Sequence, residues 1–298
     1  MPSWQSMLFK GFLVMRRTKQ KFLDVSLMEE YVAQRLLADD FRLKESFLEK
    51  HQIREKTHGT MTYYVINEQD NPEKVIYYFH GGAYINDPLI LHWLYLLKIA
   101  NATNFMIVVP IYPKLPKYKS SDCYEMVHAL YDELTSHYQV PFIFKGDSAG
   151  GGLALGFAQD VRNVGKQQPE QIVLLSPWLD MTAQDPQYEE LERLDPMIGI
   201  KGARYLAELW REDEEITHYR LSPLFGDLTG LGRIVLFVGT AELLLVDARK
   251  LVEKAMAQGV DIHYFEYDKM NHVFPVYPIP EAKKALQTLV PFLLAERV

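Results

Sequence analysis

Cysteine is almost missing from this 298-residue chain: Cys123 stands alone, so no intramolecular disulfide can form and thiolate-built metal sites are excluded. A reducing compartment fits that usage, and a cytoplasmic location is the expectation. Basic charge is not in excess either, with 32 Lys and Arg against 39 Asp and Glu and a formal net charge of -7. No basic stripe interleaved with aromatics runs through the body of the chain, which argues against nucleic acid as a partner. Nor does any uninterrupted apolar run reach the ~18 residues that a membrane span needs. Internal repeats, low-complexity tracts and Gly/Ser-rich linkers are lacking, so one domain over residues 1–298 is expected. What is plentiful is apolar side chain, 48% hydrophobic and 12% aromatic, enough for a substantial core.

The opening stretch, Trp4 to Met15 followed by Arg16-Arg17, has its charges after its apolar residues, with Lys10 interrupting them. It lacks the charged leader and small-residue cleavage site of a signal peptide, so export is not expected. Its basic amphipathic character leaves contact with a membrane surface open, without stable insertion. A helix packed over the protein's own pocket is the preferred reading, because exposed apolar helices usually cover something.

After a charge-rich lead-in that reads as helical to about His58, short apolar segments alternate with amphipathic ones. Met61 to Ile66, Val75 to Phe79, Phe105 to Pro110, Phe142 to Phe144, Ile172 to Leu175, Ile234 to Val238 and Ile262 to Tyr267 read as strands. Helix faces lie between them: Met126, Leu130 and Leu134; Leu153, Phe157 and Val161; Leu251, Val252 and Ala255; and a last helix from Pro280. Such alternation predicts an α/β fold with a mostly parallel central sheet covered by helices on both faces, its ligands at the carboxyl ends of the strands. Between residues 180 and 221 the alternation stops, and a charged, aromatic segment with Met197, Tyr205, Trp210 and Tyr219 reads as an insertion.

Chemistry concentrates at Gly146-Asp147-Ser148-Ala149-Gly150, where the Phe142 strand gives way to a helix. A strand-turn-helix of this kind exposes a serine hydroxyl on a strained turn, and only very small neighbours fit beside it. A serine hydroxyl is a poor nucleophile near neutrality. It needs a base, an acid to orient the base, and donors for the oxyanion it creates. Candidate donors are the amides of Gly81 and Gly82 in His80-Gly81-Gly82-Ala83-Tyr84, directly after a strand, with Ala149 completing the set. Of nine histidines, His272 is the candidate base, because its Met270-to-Phe274 loop lies between the last strand and the last helix and can reach across the strand ends. His51, His58, His92, His128, His137 and His263 read as surface or packing residues. Glu242, where the Phe237-Val238-Gly239 strand ends, is the choice for the acid. Asp247 is the rival, although helix capping explains it.

In order along the chain, His80-Gly81-Gly82-Ala83, Gly146 to Gly151, Ser176-Pro177-Trp178-Leu179-Asp180, Ser222-Pro223-Leu224-Phe225 and the Glu242 and His272 neighbourhoods resemble the hormone-sensitive-lipase-like branch of the α/β-hydrolases. The likeness covers about residue 60 to the C-terminus. It implies an α/β-hydrolase fold, an oxyanion hole at Gly81, Gly82 and Ala149, and a triad of Ser148, Glu242 and His272. It also implies a cap built from about 1–58 and 180–221 over a catalytic core of about 59–179 and 222–298. The implied activity is a serine carboxylesterase acting on short to medium acyl esters through an acyl-enzyme, with no metal or organic cofactor. Tyr84, Trp93, Trp178, Met197, Trp210 and Phe274 are the candidate pocket walls, the partner is a small-molecule ester, and a homodimer stays open. An amide or formamide hydrolase with the same triad, and a non-catalytic receptor on the same scaffold, are the alternatives. Two departures stand out: Tyr112-Pro113-Lys114-Leu115-Pro116 follows the family's pattern only loosely, and many members carry Asp where this chain has Glu242.

Overall fold

A computed structural model describes residues 2–295. The apolar runs become β1 (Arg54–His58), β2 (Met61–Ile66), β3 (Val75–Phe79), β4 (Met106–Pro110), β5 (Phe142–Asp147), β6 (Gln171–Leu175), β7 (Arg233–Gly239) and β8 (Ile262–Tyr267). They form one eight-stranded sheet in the order β1-β2-β4-β3-β5-β6-β7-β8. β2 runs antiparallel to both β1 and β4, and every pair from β4 to β8 is parallel. The lead-in is therefore not helical to His58. Its last residues are an edge strand, because Gly59 at φ +55 turns the chain back and pairs Arg54 with Val65 and His58 with Met61. Arg54, Glu55 and Lys56 hid that strand from a hydrophobic pattern, yet charge is what an exposed edge carries to discourage further pairing.

Helices α1 (Trp4–Met15), α2 (Gln20–Leu23), α3 (Val25–Leu36) and α4 (Glu45–His51) precede the sheet. Then α5 (Ile90–Thr103), α6 (Ser120–His137), α7 (Ala149–Asn163), α8 (Gln187–Leu194), α9 (Ile200–Arg211), α10 (Leu245–Ala257) and α11 (Pro280–Leu294) follow. Two-residue periodicity divides each buried strand between two cores. Val75, Tyr77 and Phe79 of β3 pack with Leu130 of α6, Phe157 of α7 and Leu251 of α10. Ile76 and Tyr78 face the opposite layer, with Leu96 and Ile99 of α5 and Leu289 of α11. Within the insertion, Ile200, Ala203, Leu206, Ala207 and Trp210 recur on one face of α9 and are buried. That helix packs against α2 and α3, where Phe22 and Met28 join the same core. Among the described residues no helix is long and apolar enough to cross a membrane.

Parallel register aligns the strand ends. Phe79 pairs with Gly146, Asp147 with Leu175, Leu175 with Phe237, and Gly239 with Tyr267. The loops that follow β3, β5, β6, β7 and β8 therefore leave the sheet at one edge, which is how residues far apart in sequence come to meet.

Candidate active site

Ser148 sits between β5 and α7 at φ 53 and ψ -126, a conformation that costs on the order of 1–3 kcal/mol and must be held by its surroundings. Its amide donates to the Leu175 carbonyl at 2.9 Å, and its carbonyl accepts from the amides of Gly151, Gly152 and Trp178. The turn is so tight that a Cβ at Gly146 would lie 2.1 Å from the Gly150 carbonyl oxygen, and one at Gly150 would lie 2.1 Å from that of Phe79. Glycine at both positions is a steric requirement.

The other two members of the sequence trio converge on this hydroxyl. His272 Nε2 lies 2.8 Å from Ser148 Oγ, and His272 Nδ1 lies 2.8 Å from Glu242 Oε2. The second oxygen of Glu242 accepts from the Ser176 hydroxyl at 2.8 Å and from the Gly239 amide at 2.6 Å, so the fully buried carboxylate has a donor on each oxygen. Ser176 Oγ in turn accepts from the Val273 amide at 3.0 Å, tying the acid to the histidine loop. Burial pulls the His272 pKa down, but the hydrogen bond and charge of Glu242 outweigh it and hold the imidazole above its ordinary value.

Asp247 is elsewhere. Its Oδ2 accepts from the Leu179 and Asp180 amides at 2.8 and 3.0 Å, and its Oδ1 accepts from the Tyr188 hydroxyl. It fastens the chain after β6 to α10 and does not touch the imidazole.

Beside the serine, the glycine loop is pinned by its carbonyls. Tyr112 donates to the His80 carbonyl at 2.6 Å. The ring of His80, kept neutral by burial that lowers its pKa to about 3, donates from Nδ1 to the Gly81 carbonyl at 2.8 Å. The Gly82 carbonyl accepts from the amides of Ile85 and Asn86 and from Asn86 Nδ2. In a trans peptide the following N–H points opposite to its C=O. Holding the His80 and Gly81 carbonyls therefore aims the Gly81 and Gly82 amides the other way, and neither donates to a protein acceptor among the described residues. Ala149, the first residue of α7, has no intrahelical acceptor for its own amide.

Asp147 braces this loop from below: a Cβ on Gly81 would lie 2.2 Å from its Oδ2. Its buried carboxylate accepts from the Tyr78 hydroxyl and lies 3.2 Å from His92 Nε2. Burial would raise its pKa, but His92, Tyr78 and Lys145 together hold it at about 2. His92, read as a packing residue, is thus part of the support under the donors. Ser176, Tyr112 and Asn86 are supports too, and so is Asp195, which accepts from the Leu243 amide at 2.8 Å next to Glu242. Sequence reasoning missed these roles because they rest on contacts between residues distant in sequence, made only after folding; Ser176 and Tyr112 carried a signal, as the first residues of the Ser176-to-Asp180 and Tyr112-to-Pro116 stretches.

Of the expected pocket walls, Tyr84, Trp178 and Trp210 form one aromatic group: Tyr84 stacks on Trp210 at 4.5 Å and lies 6.0 Å from Trp178, whose amide holds the Ser148 carbonyl. Met197 Sδ accepts from the Tyr277 hydroxyl at 3.3 Å. Trp93 is not with them. His92 takes the α5 direction that faces Asp147, so Trp93 turns away to pack edge-on against Tyr64 and parallel to Phe41. Phe274 is fully buried against Tyr267 at 4.7 Å and is core under the histidine loop. Among the described residues no cluster of three or more His, Cys, Asp or Glu is arranged to hold a metal ion.

The model of a family defined by the alpha/beta hydrolase fold matches residues 76–276. An esterase from Acinetobacter venetianus is 28% identical over 232 residues, covering 76% of this chain and 77% of that protein. An acetyl-hydrolase from Streptomyces hygroscopicus is 28% identical over 224 residues, covering 74% and 75%. Among solved structures, an esterase of the bacterial hormone-sensitive lipase family superposes with a TM-score of 0.82 at 27% identity, covering 99% of each chain. The chain belongs to the alpha/beta hydrolase fold family, in its hormone-sensitive-lipase-like branch, and is a carboxylic-ester hydrolase.

Proposed function

We propose that the protein hydrolyses short to medium acyl esters through an acyl-enzyme formed on Ser148. His272 accepts the serine proton as the hydroxyl attacks the ester carbonyl, and Glu242 fixes the imidazole tautomer and stabilises the imidazolium. The amides of Gly81, Gly82 and Ala149 receive the oxyanion, a charge present in the tetrahedral intermediate and not in the neutral substrate, so they act on the transition state. His272 then protonates the leaving alcohol, and a water activated by the same imidazole releases the acid.

The observation that carries this reading is the continuous relay from Glu242 through His272 to Ser148, 2.8 Å at each step. The helices before the sheet and the 180–221 insertion, packed on one another through α2, α3 and α9, serve as the cap. Trp210 and Met197 of the cap, with Tyr84 and Trp178 of the core, are the acyl-facing residues. The relatives named as esterase and acetyl-hydrolase support a compact acyl group.

The test is a series of p-nitrophenyl esters of rising acyl length, run with the natural protein and with Ser148→Ala. Turnover that peaks at short chains and disappears in the variant supports the reading. Equal slow release from both proteins defeats it.

A further inference from the structure

The solvent-facing side of α1 is made only of apolar residues. Trp4, Met7, Leu8, Phe12, Val14 and Met15 are exposed, Leu8 by 65% and Met15 by 73%, while Ser6 and Leu13 on the opposite side are buried. At 3.6 residues per turn the exposed set, with Gly11, occupies one unbroken arc of about 160°. A water-soluble monomer seldom leaves such a surface uncovered.

Nor is the helix dangling. The Ser3 hydroxyl donates to Glu281 at 2.9 Å, the Ser6 hydroxyl donates to the same carboxylate, and the Phe9 ring lies 4.5 Å from that of Tyr277. These contacts fix which face looks outward.

Charge identifies the occupant. Residues 1–23 contain Lys10, Arg16, Arg17, Lys19 and Lys21 and no Asp or Glu, in a chain whose net charge is -7. Lys19 is engaged with the carbonyls of Glu192 and Asp195, and Lys21 lies over the Tyr31 ring. Arg16 and Arg17 are exposed at the end of the apolar arc and Lys10 is half-buried on its flank, with the Arg16 guanidinium 5.7 Å from the Phe12 ring.

We propose that this face of α1 docks on an anionic lipid surface, the apolar arc entering the interfacial layer while Lys10, Arg16 and Arg17 meet lipid phosphates. A second copy fits less well, because a twofold contact through the same patch brings the same cations of both copies together. On the inner side of α1 the Phe9 ring meets Tyr277, just beyond the His272 loop, so the helix would lie between the lipid surface and that loop. The surface is independent of the hydrolytic reading, since it is defined by binding alone.

Co-sedimentation of the full-length protein with phosphatidylcholine vesicles, with and without phosphatidylglycerol, tests the proposal. Binding to the anionic vesicles that weakens with salt is expected. Leu8→Gln with Met15→Gln should weaken it at least about tenfold, and Arg16→Gln with Arg17→Gln roughly thirtyfold. Unchanged circular dichroism in both variants shows that they fold. No binding to anionic vesicles by the natural protein, or undiminished binding by the Leu8/Met15 variant, overturns the proposal. So does a natural dimer that becomes monomeric in that variant without any vesicle binding, which would assign the face to a second copy.

Discussion

Replacing Glu242 by Gln tests the acid assignment with little change of shape. The Gly239 amide, 2.6 Å from Glu242 Oε1, is a donor with no freedom to rotate, so the carbonyl oxygen of a glutamine must stay on that side and continue to serve Ser176. The NH2 group then faces His272 Nδ1, where Oε2 stood at 2.8 Å, and can only donate. That forces the hydrogen of a neutral imidazole onto Nε2, the nitrogen that must accept from Ser148 Oγ. The wrong tautomer at an equivalent relay costs ~10⁴ in kcat, about 5.5 kcal/mol of activation free energy. Stopped-time assays with a p-nitrophenyl ester measure that range, and burst amplitude shows whether acylation is the step lost. A Glu242→Gln enzyme that keeps kcat within tenfold, with unchanged KM, would show that the carboxylate does not set the tautomer.

The same relay governs pH. His272 must be neutral to accept the proton, and Glu242 holds its pKa above the ordinary value of about 6.5, so kcat/KM should fall on the acid side through a midpoint above that value. In Glu242→Gln the residual activity should show its limb at lower pH, because the stabilising negative charge is gone. Asp247→Asn should leave kcat within a few-fold, since an amide oxygen can still accept from Leu179 and Asp180 while its NH2 donates to Tyr188. Asp247→Ala should instead cost stability, about 1–3 kcal/mol for each buried amide left without an acceptor, read by urea denaturation. Lys145 is fully buried with no hydrogen-bond partner for Nζ among the described residues, and burial lowers its pKa to about 7. Because the unfolded chain binds that proton up to about pH 10.4, stability should rise from pH 7 toward 10. Lys145→Met should raise stability at neutral pH by at least about 1 kcal/mol and abolish that rise, and an unchanged urea midpoint would refute the account.

The parts of this molecule that could be read in sequence are those where a local rule operates. Strand runs such as Val75 to Phe79 are buried on both faces and so uniformly apolar, and the elbow glycines are dictated by backbone contacts within five residues and one neighbouring strand. That Glu242 and not Asp247 meets the His272 imidazole follows from its place at a strand end, whereas the duty of Asp247, holding the Leu179 and Asp180 amides, was not the helix capping its position suggests. Where long-range packing decides, the sequence is mute. Arg54 to His58 has no apolar alternation, and only pairing with β2 makes it a strand. Trp93 is a large aromatic near the glycine loop in sequence, but the 100° step between neighbours on a helix hands the site to His92. Asp147 sits in the tight Gly146-to-Gly150 turn, and its work against Gly81 depends on β3 and β5 lying side by side.

The proposed cap also reaches the chemistry through two separate contacts, one on each half of the machinery. On the donor side, the Tyr31 hydroxyl of α3 donates to Asn86 Oδ1, which leaves Asn86 Nδ2 to face the Gly82 carbonyl. Arg35, one helical turn further, holds the Ile85 carbonyl and the Asp87 carboxylate. On the acid side, Asp195 collects the amides of Met197 and Ile198 on one oxygen and that of Leu243 on the other, bracing the turn that carries Glu242. Among the described residues Ser148 has no such tether: its backbone partners are Leu175, Trp178 and its own helix. Displacing α3 and the 195–198 loop together would therefore loosen the proposed oxyanion donors and the proposed acid at once while leaving the strained turn at Ser148 intact. On the proposed mechanism, the serine would then be ready before substrate arrives, and the seating of the cap would complete the charge-stabilising groups around it, where water must be excluded for those dipoles to act at full strength.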